Sequence, residues 1–74
     1  MADDFSFEIT QKYGELGKGK GGWPLELNMV SWNHREPKYD IRSWSEDHQK
    51  MGKGCTFTEE ELRALKGILD TMFT

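Results

Sequence analysis

A single cysteine, Cys55, among 74 residues excludes an internal disulfide framework. Two histidines, His34 and His48, with that one thiol are too few for a structural zinc site built by one chain. No apolar run approaches the roughly 18 residues a membrane-spanning helix needs, so no membrane partner is expected. The first residues, Met-Ala-Asp-Asp-Phe, are acidic and hold no apolar stretch of the signal-peptide kind. A cytoplasmic setting with Cys55 reduced is the expectation. No cofactor is indicated. A chain this short buries only about 60% of its unfolded surface. Such domains lean on disulfides, a metal or a partner chain. With the first two missing, a homodimer is expected.

What is present is aromatic and unevenly charged. Three Trp, two Tyr and four Phe argue against disorder. The formal net charge is −3, but the acids gather at the ends. Residues 12–53 hold eight bases against six acids, and a ligand responds to that local field more than to the total.

Alternation in Phe5-Ser6-Phe7-Glu8-Ile9 predicts a first strand over about 4–16. Gly17-Lys18-Gly19-Lys20-Gly21-Gly22 reads as a mobile cationic loop. It is no Walker A loop, because Lys20 is followed by Gly21 rather than Ser or Thr. A second strand is expected over about 23–33. Trp23, Leu25, Leu27 and Met29 share one parity and Val30 and Trp32 the other, which suggests a bulge near Met29-Val30. After a turn closed by Pro37, a third strand over about 37–45 turns Tyr39 and Ile41 one way and Lys38, Asp40, Arg42 and Trp44 the other. Residues 46–52 read as a loop, and a fourth strand covers about 53–57. Thr58-Glu59-Glu60-Glu61 is a capping box. Leu62, Leu65, Ile68, Leu69 and Met72 recur at spacings of three and four, giving a helix over about 59–73.

The fold class is therefore α+β, a curved four-stranded antiparallel sheet followed by one C-terminal helix (ββββα), in a single domain over 1–74. The helix is expected to cover the odd-numbered strand residues. That leaves Lys38, Arg42 and Trp44 on the open face, with Trp32 beside them. Exposed aromatics among cations suit unpaired bases, which stack on the rings while Lys and Arg meet the phosphates. Lys50, in the loop before strand four, adds a further cation. The bland readings stand beside these. Arg42 has ion-pair partners in Asp40 or Glu26, Trp23 suits core or dimer packing, and His34 and His48 suit surface loops. Cys55 suits a small buried hydrophobe. No nucleophile–base or paired-carboxylate constellation is visible, so no enzyme is expected.

Tyr39-Asp40-Ile41-Arg42-Ser43-Trp44, then Lys50-Met51-Gly52-Lys53-Gly54, then Thr58-Glu59-Glu60-Glu61-Leu62 together resemble the positive-cofactor-four-like (PC4-like) single-stranded-DNA-binding, transcriptional coactivator family. Glu26-Leu27-Asn28 through Trp32-Asn33, and Glu36-Pro37 through Arg42, bring the resemblance closer to its bacterial YdbC-type members. It spans about residues 22–72. It implies a homodimer whose sheets line a channel for single-stranded DNA with little sequence preference, serving transcription regulation, replication or repair. It places DNA contacts on Arg42 and Lys53 and, more loosely, on Lys18 and Lys20. Trp44 falls at or beside a family aromatic, and Trp32 takes the place of one at the end of strand two. The competing readings are RNA binding and a protein-interaction module of the transcription machinery.

Overall fold

The computed structural model describes residues 5–73; the side chain of Lys20 lies outside the described set. Strands β1 (Phe7–Lys18), β2 (Pro24–Trp32), β3 (Lys38–Trp44) and β4 (Met51–Phe57) form one antiparallel meander in sequence order, followed by helix α1 (Glu59–Met72). The ββββα order is as the sequence predicts. β1 runs on through Gly17 and Lys18, and Lys20–Gly22 forms a short 3-10 turn, so the glycine-rich segment has a defined path. β4 starts at Met51, inside the segment expected to be loop.

The connections are tight. Between β2 and β3, Asn33 and His34 take positive φ (52° and 64°), and the Arg35 amide donates to Trp32 O at 3.0 Å. Two consecutive left-handed residues are the mark of the primed hairpin turns, and Asn tolerates that region well. Between β3 and β4, Ser45 ties the loop. Its hydroxyl donates to Asp47 Oδ1 at 2.8 Å and accepts from the Lys50 amide at 2.9 Å.

The irregularity expected in β2 lies in β1 instead. β2 pairs evenly with β3 from Leu25↔Ser43 to Val30↔Lys38. The register between β1 and β2 shifts between Ile9 and Gln11, Lys12 and Gly14, and Glu15 and Gly17. Each bulge bends its strand and adds twist. The result is a strongly curved sheet. Arg42 pairs opposite Glu26, six residues from Trp32 along β2 and therefore about 20 Å away on a flat strand. Yet its guanidinium carbon sits 4.6 Å from the Trp32 ring centre. Phe7, opposite Trp32, likewise reaches Trp44, with ring centres 5.3 Å apart.

This curvature reverses the expected inside and outside. The concave side carries the even-numbered residues of β2 and β3, and there Val30, Asn28, Asp40 and Trp44 are buried. Leu25, Leu27, Met29, Tyr39 and Ile41 on the convex side are only half-buried, and Cys55 is exposed rather than tucked away. The helix does not cover that side, because α1 meets the sheet mainly near its start, where Glu59, Leu62, Arg63 and Lys66 surround Tyr39.

The helix start follows the sequence closely. Thr58 Oγ1 accepts from the Glu61 amide at 3.1 Å, and Glu61 Oε1 accepts from the Thr58 amide at 2.9 Å. Past Leu65 the apolar stripe faces outward: Ile68, Leu69, Met72 and Phe73 are all exposed. The chain is accordingly open in shape. Its radius of gyration is 13.6 Å, against about 11 Å for a compact domain of this length. Its accessible surface is 5672 Å², against roughly 4,700 Å² for a folded monomer of this mass.

Candidate nucleic-acid interface

On the concave side, Arg42 is held by its own sheet. Its Nε donates to Asp40 Oδ1 at 2.8 Å, and Thr56 Oγ1 donates to Asp40 Oδ2 at 3.1 Å. Asp40 has no exposed surface, so its charge is viable only because both oxygens are satisfied. Arg42 Nη1 also reaches Gly52 O at 3.4 Å, and the guanidinium plane covers Trp32. Gly54 sits opposite Arg42, where any Cβ would collide with Arg42 Cβ and Ile41 O. The side chain of Arg42 keeps 15% of its surface exposed. Of the two partners weighed for it, Asp40 is the one it has.

Trp44 is not on an open face. It is fully buried, packed against Phe7 and, at 5.7 Å between ring centres, against His48. No base can stack on it in this arrangement, and the expectation of an exposed Trp44 is corrected. The cause is the curvature, which folds the Lys38–Trp44 parity inward beyond Lys38. Trp32 is half-buried beneath Arg42 and beside Phe5 and Phe7.

His48 is also more than a surface loop residue. Its Nε2 lies 3.1 Å from both carboxylate oxygens of Glu26, and its ring covers Trp44. This fastens the β3–β4 loop to β2. Burial by itself would raise the Glu26 carboxyl, but the hydrogen bonds from Asn28 and His48 and the nearby positive charge hold it below the usual carboxylate range. Asp47 is likewise lowered, by hydrogen bonds from the Gln49 amide and Ser45. His34 does stay exposed, with Nε2 3.3 Å from Ser6 Oγ.

The lysines singled out by the sequence divide into two places. Lys38 is exposed at the start of β3, next to Glu36, Tyr39 and the start of α1. Lys18, Lys50 and Lys53 are exposed at the other end of the sheet, where each lines one of three adjoining grooves. Lys18 makes an exposed pair with Glu15 at 3.4 Å, a contact of little strength in water. Lys20 opens the 3-10 turn at the same end. The residue common to all three grooves is Trp23. The sequence reading gave Trp23 to core or dimer packing, on parity with Leu25 and Leu27. Its place directly after Gly17–Gly22 and before Pro24 was the available signal, because it marks a strand end rather than a strand interior.

Residues 19–68 match the family described as Transcriptional Coactivator p15 (PC4). A protein of Treponema pallidum (strain Nichols), itself described as uncharacterized, is 51% identical over 70 residues, which cover 95% of this chain and 82% of that protein. The matched segment takes in all of β2, β3 and β4 and most of α1, and on that extent the chain belongs to the Transcriptional Coactivator p15 (PC4) family.

Proposed function

We propose that this protein is a non-catalytic binder of single-stranded DNA, largely indifferent to sequence, acting as a homodimer of the bacterial YdbC type in the cytoplasm. The family match supports nucleic acid as the partner class. The observation that carries the reading is the gathering of Lys18 at the end of β1, Lys50 just before β4 and Lys53 within β4 at one end of the sheet. Lysines fixed by a scaffold neutralise phosphates without reading bases, so binding is sequence-tolerant and falls as salt rises. Arg42 adds a charge at the concave surface through its exposed edge, with Trp32 below it. Lys20, close to Lys18 in the sequence, and Lys38, at the opposite end of the sheet, are further candidate phosphate contacts. α1 begins with Glu59, Glu60 and Glu61, an acidic turn unsuited to approach a duplex backbone.

The homodimer is supported by the uncovered stripe of α1. Ile68, Leu69, Met72 and Phe73 together form an exposed apolar surface of the kind that oligomer interfaces bury. Transcription regulation, replication and repair all present single strands and fall within this reading. The test is an anisotropy titration of labelled oligo-dT at several salt concentrations. Saturable binding that weakens with salt is expected; no binding at low salt would remove the proposal.

A further inference from the structure

The geometry points to Trp23 as the residue that stacks a nucleobase, in the groove it forms with Leu25, Ser43 and Lys53. This inference rests on the proposed single-strand binding and names the contact that would select unpaired bases. The groove holds about 610 Å³ and is lined by Gly19, Gly21, Trp23, Leu25, Ser43, Gly52 and Lys53. No carboxylate is among them, whereas Glu46 lines both of the other grooves that touch Trp23. Its composition matches one nucleotide: an indole and a leucine for the base, a hydroxyl for a polar edge, and an ammonium for the phosphate.

The glycines keep the groove open. At Gly52 a Cβ would stand 2.6 Å from Ser43 Oγ, and at Gly19 a Cβ would stand 3.2 Å from Ser43 Cβ. Gly21 takes φ +77°, a left-handed conformation that side chains disfavour. Trp23 itself is pinned by its backbone, since its carbonyl accepts from the Gly19 amide at 2.6 Å. Its ring makes no aromatic pair among the described residues, whereas Trp32 and Trp44 are packed against Phe7. Trp23 is half-buried, and its remaining surface lines all three grooves. A base in a duplex already has both faces stacked, so this contact favours single strands.

The experiment compares wild type, Trp23→Ala, Trp23→Phe and Lys53→Gln. Each is titrated with oligo-dT, with an abasic oligonucleotide of equal length and with a duplex, and each fold is checked by circular dichroism. Wild type is expected to bind oligo-dT more tightly than the abasic strand. Trp23→Ala should lose roughly tenfold for oligo-dT, the loss of about one stacked base, with little change for the abasic strand. Trp23→Phe should keep most of the affinity while removing most of the DNA-induced quenching of tryptophan fluorescence. Lys53→Gln should weaken both strands alike. Equal binding of oligo-dT and abasic strand by wild type, or unchanged oligo-dT binding by Trp23→Ala, overturns the assignment of Trp23 while phosphate binding stands. Failure of wild type to bind either strand overturns both readings. If Trp23→Ala is misfolded, the Trp23→Phe quenching decides: undiminished quenching overturns the inference.

Discussion

Gly54 faces Arg42 across the β3–β4 ladder with no room between them for a methyl group. The missing side chain lets Arg42 lie along the sheet and reach both Asp40 and Trp32. Gly54→Ala is expected to destabilise the protein by about 1–3 kcal/mol, the usual cost of overpacking. Urea denaturation with an unchanged slope and a lower midpoint would show it. An unchanged midpoint would mean the ladder tolerates what the geometry forbids.

Removing the guanidinium leaves Asp40 charged and buried with only Thr56 for company. Arg42→Ala should therefore lose about 3 kcal/mol, at the lower end for broken buried pairs because Arg42 keeps an exposed edge. Arg42→Lys should recover little, since an ammonium cannot bond Asp40 and cover an aromatic face together. A double-mutant cycle with Asp40→Asn measures the coupling, and additive effects would contradict it. Any DNA-binding defect of Arg42 variants must be measured at a temperature where they remain folded.

Glu26 sets an acid limit on stability. Its folded carboxyl sits below its ordinary value of 4.5. The stabilisation is present above that value and is lost as pH falls through the lower, folded one. Melting temperature should drop on acidification below about pH 4.5 in wild type, and the drop should be shallower in Glu26→Gln. Parallel curves for the two proteins would place the acid sensitivity elsewhere.

The stripe on α1 makes a separate prediction about assembly. Sedimentation of the wild type should report two chains. Ile68→Glu, placing a charge on the exposed apolar surface, should shift the protein toward one chain while α1 keeps its capping box. A wild-type monomer at micromolar concentration would contradict the homodimer.

Much of this architecture was legible in the residues. Thr58 and Glu61 announced the helix start because capping is a local interaction between neighbours. Tyr39 and Asp40 showed the alternation of β3 because side chains on a strand have a fixed period. Which face turned inward was not legible. β2 is apolar on both parities, with Leu25, Leu27 and Met29 on one and Val30 and Trp32 on the other. The inward face is chosen by the sheet's curvature, and that depends on bulges in β1, which pairs with β2 over a long span. Lys38, Asp40 and Arg42 made Trp44 look solvated. The Asp40–Arg42 pair instead lets two charges line a concave side without exposing the indole between them and the loop. Trp23 shows the opposite: its parity matches a core stripe, while its position before the start of β2 leaves it half-buried in grooves lined by Lys18, Lys50 and Lys53.

The most direct test is the salt dependence of oligo-dT binding by wild type and by the variant with Lys18, Lys50 and Lys53 all changed to Gln. If these three side chains meet phosphates, the logarithm of affinity falls linearly with the logarithm of salt in wild type, and the triple variant loses roughly two units of that slope. Wild-type binding that ignores salt, or a triple variant with the wild-type slope, would contradict the account.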